Sequence, residues 1–281
     1  MNKGVFFFFL VFSLAAAAQD SRERTVLNRM IAACQNLKSS SQVFKSTERM
    51  DDGKLYESEI LIKFQAQPRK VYLYCVNPNA GAECLWVKGE NNDKVIVNPN
   101  GFPFFTLKLN PYNELLRQDT HHTIKEIGFD YIVSMLKHYT GFYGDQFYSY
   151  LSIVDTLTWD GRSCIHLRFD YKGFDCLLYT VKSGESITSI SEKLYLNDYM
   201  VLRRNPGLTG YDHCKPGQVI KVPNFYNRRV EFYVDRATWL PLVQIVYDEK
   251  GLFEKYEMKS FVADPDFDAA EFSTTYKGYG F

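Results

Sequence analysis

Residues 179–223, YTVKSGESITSISEKLYLNDYMVLRRNPGLTGYDHCKPGQVIKVP, carry a complete strand, helix, helix, strand pattern inside a chain that is otherwise written in hairpins. Tyr179 to Lys182 alternates and suits a strand, and Ser183-Gly184 breaks it. Ser186 is placed to cap a helix, because its hydroxyl can accept from a free amide of the first turn. Ile187, Ile190 and Leu194 then share one face. Asn197 or Asp198 can cap a second helix containing Tyr199 and Leu202, which Asn205-Pro206-Gly207 ends because proline cannot continue the ladder. Lys215-Pro216-Gly217-Gln218 turns the chain into a strand from Val219 to Val222, stopped by Pro223.

The flanking sequence has a different grammar, and it is the same on both sides. Residues 21–37 place Leu27, Met30, Ile31, Cys34 and Leu37 at helical spacing, which predicts an amphipathic helix that must lie on a surface. Alternating runs follow: 42–49 and 55–64 around Asp51-Asp52-Gly53, 70–76 and 82–87 around residues 77–81, then 94–97. Residues 101–112, with Phe102, Phe104 and Phe105, read as a loop or lid across the sheet, and 123–137 as a helix despite Gly128. Strands resume at 147–155 and 163–171 around Asp160-Gly161, and again after the interruption at 229–235, 242–248 and 252–261. A host that keeps its pattern on both sides has taken the 45-residue stretch into a loop.

The N-terminus begins with Lys3, an apolar run from Val5 to Leu14 with four consecutive phenylalanines, and Ala15 to Ala18. This reads as a secretory signal peptide cleaved after Ala18, too short to span a bilayer. No later apolar run approaches the length of a membrane helix, so no transmembrane segment is expected after signal removal. Lys+Arg and Asp+Glu are both 33. With no basic stripe to neutralise phosphates, nucleic acid is not expected as a partner.

The 179–223 stretch resembles the LysM family. The residues that carry the resemblance are Tyr179/Val181, Gly184-Glu185-Ser186-Ile187, Asn205-Pro206 and the ending Pro216-Gly217-Gln218-Val219-Ile220-Lys221-Val222-Pro223, with Glu185 and Cys214 as departures from the family pattern. The resemblance implies binding of N-acetylglucosamine-containing glycan, peptidoglycan or a chitin-like polymer. The groove it implies is formed by Gly184, Glu185, Ser186 and Ile187 on one side and Pro206, Gly207, Leu208 and Thr209 on the other. Amides freed at a helix start and in a Gly/Pro loop can bond N-acetyl and hydroxyl groups, and Ile187 and Leu208 would offer apolar contact. The plain alternative is that these residues only make turns.

The rest of the chain resembles the LolA/LolB-type lipoprotein-carrier superfamily, and within it the secreted family DUF1571. The carrying segments are Pro68 to Leu73, Gly81-Ala82-Glu83, Asp119-Thr120-His121-His122-Thr123-Ile124 and Val234-Asp235, Leu240-Pro241, Tyr247-Asp248 and Gly251 near the end. This implies a curved half-barrel whose concave face holds lipid in the best-known members, and a bacterial periplasmic location.

Catalytic signatures are missing from the sequence: no Walker loop, G-x-S-x-G elbow or H-E-x-x-H. His121, His122, His138 and Asp119 are close in sequence, but adjacent histidines point apart and the spacing matches no metal motif, so no metal and no cofactor is expected. Asp264, Asp266, Asp268 and Glu271 read as a solvated acidic turn, and Phe102, Phe104 and Phe105 as core or lid packing. Six cysteines allow 15 full pairings. Cys75 and Cys84 flank a turn and could meet, Cys176 and Cys214 fall at opposite ends of their strands, and free thiols remain open for all six.

The reading is an α+β chain: a curved antiparallel sheet of LolA-like half-barrel type with packed helices, interrupted by a small βααβ LysM-like module. The segments are a signal peptide at 1–18, host at 19–175, module at 176–226 and last host strands at 227–281. The expected function is an exported, non-enzymatic envelope protein that binds peptidoglycan. A carrier of lipid or a lipoprotein acyl chain is the alternative, and a wall hydrolase ranks last.

Overall fold

Helix α1 (Arg22–Asn36) begins where the Ser21 hydroxyl accepts from the Arg24 amide, and it buries Val26, Leu27, Met30, Ile31 and Cys34 on one face. The computed structural model describes residues 21–281, so the expected leader at 1–18 lies outside the described residues. Strands β1 (Ser39–Arg49), β2 (Leu55–Gln65), β3 (Lys70–Asn77), β4 (Glu83–Val87), β5 (Val95–Asn98) and β6 (Leu107–Leu109) form an antiparallel meander. After α2 (Glu114–Arg117), α3 (Asp130–Tyr143) and α4 (Asp145–Tyr148) come β7 (Leu151–Trp159) and β8 (Arg162–Asp170). The interruption supplies β9 (Cys176–Thr180), α5 (Ile187–Leu194), α6 (Asp198–Arg203) and β10 (Val219–Pro223). The chain ends with β11 (Arg229–Asp235), β12 (Pro241–Asp248) and β13 (Gly251–Ala263).

Among the described residues, eleven strands make one curved, unclosed antiparallel sheet in the order β6-β5-β4-β3-β2-β1-β13-β12-β11-β8-β7, while β9 and β10 pair only with each other. The last strand therefore returns to the middle, against the first. Helices α1 and α3 cover one face, where Leu27, Met30, Val133 and Leu136 pack against Leu167, Phe232, Leu242, Met258 and Phe261. On the opposite face, Leu85, Val87 and Ile96 are covered by Phe272 of the C-terminal tail.

Departures from the sequence reading have identifiable physical causes. The helix expected over 123–137 is broken into a 3-10 turn (Ile124–Glu126) and α3, because Gly128 sits at φ +100° and a Cβ there would lie 2.7 Å from the Phe64 ring. Phe147 is in the short helix α4 rather than a strand. The loop at 101–106 is no lid: it joins the two outermost strands of its edge, and Phe102, Phe104 and Phe105 are 86%, 84% and 62% exposed. The acidic tail is used locally, with Asp264 accepting from the Lys38 and Ser39 amides, Asp268 capping a 3-10 turn and Glu271 pairing with Lys63 at 2.6 Å. All six cysteines are free thiols, and burial pushes Cys84 up to about 12.

Strands β8 and β11, which flank the interruption, are neighbours: Asp170 pairs with Arg229, and the Tyr171 amide donates to the Arg228 carbonyl. Both ends of the inserted segment thus leave from one hairpin, and Asp175 and Asn224 exchange backbone and side-chain bonds across its neck. The segment is docked against the helix side of the host. Buried Arg117 pairs with Asp198 at 2.7 Å and lies 3.6 Å over the Tyr211 ring. Tyr131 and Tyr139 donate to the carbonyls of Leu196 and Tyr195, and Phe225 stacks 3.9 Å from Tyr139. Arg203 pairs with Asp51 at 3.0 Å, and Arg204 grips Glu249 with two nitrogens at 2.7 and 2.8 Å. Two-point guanidinium pairing fixes orientation as well as distance.

Two outcomes are expected. Gly128→Ala must strain the backbone and displace Phe64, and should destabilise by about 2 kcal/mol in urea unfolding. The hydrogen bonds from Arg204, with its charge, hold Glu249 at about 2, below its ordinary 4.5. A depressed carboxyl stabilises above its unfolded value and loses that contribution as pH falls toward the folded one. The stability gap between the native chain and Glu249→Gln should therefore hold constant from about pH 7 to about pH 5 and shrink from there toward about pH 3.

Candidate functional site on the inserted segment

Each turn of the segment is made by a residue suited to it. Ser186 accepts from the Ser189 amide at 3.1 Å and Ser189 returns a bond to the Ser186 amide at 2.9 Å, a reciprocal cap that starts α5. Asn197 caps α6 by accepting from Met200 at 2.9 Å. Asn205 holds the end of α6 to β10: its side chain donates to the Val201 and Lys221 carbonyls and accepts from the Lys221 amide. A small core of Val181, Ile187, Ile190, Leu196, Val201, Leu202, Leu208, Ile220 and Val222 lies between helices and strands.

The structure ties the turn at 184–187 to the loop that follows α6. The Ile187 amide donates to the Tyr211 carbonyl at 2.8 Å, and the Cys214 thiol lies 3.5 Å from the Glu185 carbonyl. Gly184, Pro206, Gly207 and Thr209 are exposed and Ser186 is half-buried. Among the described residues, no protein acceptor meets the amides of Gly184, Gly207 and Thr209. Such amides are ready donors for a polar ligand.

Two of the eight sequence-selected residues do not present their side chains. Ile187 is fully buried and Leu208 is 7% exposed, because both are needed to close the core. The apolar contact expected of them is corrected accordingly: both side chains point into the module's own core. Glu185 is a brace, accepting from the Lys182 amide, the Tyr179 hydroxyl and Lys193. The Lys182 amide bond, with help from Tyr179 and Lys193, holds its carboxyl at about 2. Sequence reasoning missed Tyr211 and His213, the latter bonded to the Thr209 hydroxyl at 2.6 Å. The run Gly210-Tyr211-Asp212-His213, polar and aromatic inside a loop already assigned to the groove, was the available signal.

Beneath the docked face lies a buried polar cluster that joins host and segment. The Tyr226 hydroxyl donates to Glu254 at 3.0 Å and takes a bond from Asn197, and Tyr199 of α6 stacks 4.4 Å from His121. His121 and His122 both approach Glu254, whereas His138 stacks on Tyr195 and Asp119 is exposed. Burial alone would raise the Glu254 carboxyl, but His122 and the hydrogen bond from His121 hold it far below the usual range. Burial would likewise lower His122, yet Glu126 and Glu254 hold it well above its ordinary value.

Residues 38–175 match the family described as "Protein of unknown function (DUF1571)", and residues 179–223 match the LysM domain. No curated protein matches the sequence. Similar solved structures include MucB in the Pseudomonas aeruginosa MucA/MucB complex, 15% identical with TM-score 0.41, covering 90% of this chain and 60% of that one. They also include the Mycobacterium tuberculosis lipoprotein LppX, 13% identical with TM-score 0.42, covering 87% and 97%. A putative outer membrane lipoprotein-sorting protein domain from Vibrio parahaemolyticus is 8% identical with TM-score 0.36, covering 89% and 95%. The chain spans about 60% of the length of the MucB chains it resembles. Residues 38–175 belong to the DUF1571 family, and residues 179–223 form a LysM domain.

Proposed function

We propose that this chain is an exported, non-enzymatic protein of the cell envelope that holds N-acetylglucosamine-containing glycan, peptidoglycan above all, in the groove of its LysM domain. Residues 176–226 act as the inserted binding module, and 19–175 with 227–281 as the body that carries it. The observation that supports this most is that the groove rim stays open after docking: Gly184, Pro206, Gly207 and Thr209 face solvent while the module's 195–204 segment is held by the host. Three free amides on that rim suit acetamido and hydroxyl oxygens. The bacterial periplasm is the compartment this reading implies.

The carrier reading has less support. The helix-covered face of the sheet is filled by α1, α3, Phe225 and Tyr226. A cleft of about 570 Å³ lies on the other face under the tail, and its lining mixes Lys70, Lys108 and Glu90 with Leu85, Val87 and Phe272. Lipid chains select apolar linings, not charged ones.

The test is sedimentation with insoluble peptidoglycan. Deleting the module is a poor variant, because Tyr199 and Met200 belong to the main core. Gly207 is better: it has open space around its missing Cβ and no positive φ. The native chain should sediment with peptidoglycan, and Gly207→Trp should lose about tenfold in affinity with an unchanged circular dichroism spectrum. Failure of the folded native chain to sediment would overturn the reading.

A further inference from the structure

Charge is concentrated at the centre of the sheet beyond anything that docking the module requires. In the register of β1 and β13, Glu48 lies directly opposite Glu254, and each is 1% exposed. Like charges at a directly opposed pair repel, and burial deepens the cost unless positive charge or strong donors compensate. Strand alternation sends both side chains to the face of Met258, beneath the helices and the module.

His121 enters this pair with its ring clamped between Tyr199 at 4.4 Å and Phe253 at 4.3 Å. Its Nε2 lies 3.1 Å from the Arg49 carbonyl, and its Nδ1 faces Glu254 Oε2 at 3.0 Å. A metal-binding imidazole has this arrangement, with its outer N–H fixed on a carbonyl and its other nitrogen directed at the ion. Donor atoms of Glu48, His121 and Glu254 all lie within 4.8 Å of one another. Ligands bound at about 2.0–2.1 Å around a tetrahedral ion stand about 3.3 Å apart, so small side-chain adjustments suffice.

The surroundings repeat the pattern. His122 Nε2 is 3.5 Å from the same Glu254 oxygen, and its Nδ1 is 3.3 Å from Glu126, a second imidazole with a carboxylate behind it. Tyr256 donates to Glu48 at 2.5 Å and lies 3.2 Å from Glu254, and Tyr226 reaches the other Glu254 oxygen at 3.0 Å. Hydroxyls of this kind orient ligating carboxylates. The His122 and Glu126 side chains are 20% and 29% exposed, which gives an ion a way in.

We propose that Glu48, His121 and Glu254 bind one divalent first-row transition cation, with His122 as the nearest fourth donor. Mixed imidazole and carboxylate donors suit Zn²⁺ better than Mg²⁺ or Ca²⁺, which prefer all-oxygen shells. Binding places positive charge between the opposed glutamates. Because Tyr199 and Tyr226 border the site, the ion fastens the LysM domain to the body. The competing account is a proton-bridged network with the same contacts, and metal uptake distinguishes the two.

The experiment uses the chain from Gln19 onward, without a histidine tag, stripped with chelator and titrated with Co²⁺ by visible absorption, followed by Zn²⁺ competition. The native chain should bind about one equivalent of Co²⁺ with a d–d band that Zn²⁺ abolishes. Glu254→Gln, which keeps shape and removes charge, should weaken binding by at least about tenfold, and His122→Gln should also weaken it and change the band. His138→Asn should leave both unchanged. A folded native chain that takes up neither ion, or a folded Glu254→Gln that binds like the native chain, would refute the site. Should Glu254→Gln fail to fold, the native titration and the part-exposed His122 variant decide.

Discussion

Two glutamates face each other, buried, where the first and last strands of the sheet meet, and much of the interior is arranged around that pair. A buried carboxylate costs several kcal/mol unless it is surrounded by donors, and two in register cost more than twice one. Donors come from four places: His121 and His122 from the loop before α3, Tyr256 on β13 itself, Tyr226 from the segment returning out of the module, and the module's Asn197 behind Tyr226. Closure of the sheet, placement of the loop and docking of the module are thus linked through one cluster. Loss of any contributor leaves charge stranded, which makes the arrangement specific as well as costly.

The linkage alters what an inserted domain can do. A module on a flexible neck searches space and contributes affinity without direction. This one is held at its neck by Asp175 and Asn224, and along one side by Arg117, Tyr131, Tyr139 and the Arg204–Glu249 pair. Its core is separate, yet Tyr199 and Met200 belong to the host's core, so the two fold as coupled units. Whatever the LysM domain binds would be presented at a fixed angle to the body. Arg117, buried beneath Tyr211 of the loop after α6, carries that rigidity into the module.

Local signals in the chain were legible wherever one residue or one period decides the outcome. Ser186 caps the first helix of the module as its hydroxyl predicted, and of the two candidates Asn197 and Asp198 it is Asn197 that caps the second. Asp160-Gly161, both at positive φ, make the hairpin turn between β7 and β8 that the dipeptide announced. The reading failed where the deciding atoms are far away. Helicity over 123–137 breaks at Gly128 because of a ring 64 residues earlier, and nothing near residues 101–106 reveals that an edge position leaves three phenylalanines without a core to enter. Ile187 and Leu208 were assigned outward by their place in a motif and turn inward because a domain this small needs each apolar side chain for its core.

The sequence alone determined the periodicities, the caps, the turn residues and the motif that marks residues 179–223, since these depend on interactions spanning a few residues. Tertiary structure decided which strands meet, and so set Glu48 against Glu254 across the central pair, brought His121 and His122 to them, and laid the module's 195–204 face on the host. Those contacts join residues separated by up to 208 positions, as between Tyr256 and Glu48. No local pattern encodes such a meeting, because strand order is set by how the whole sheet buries its faces.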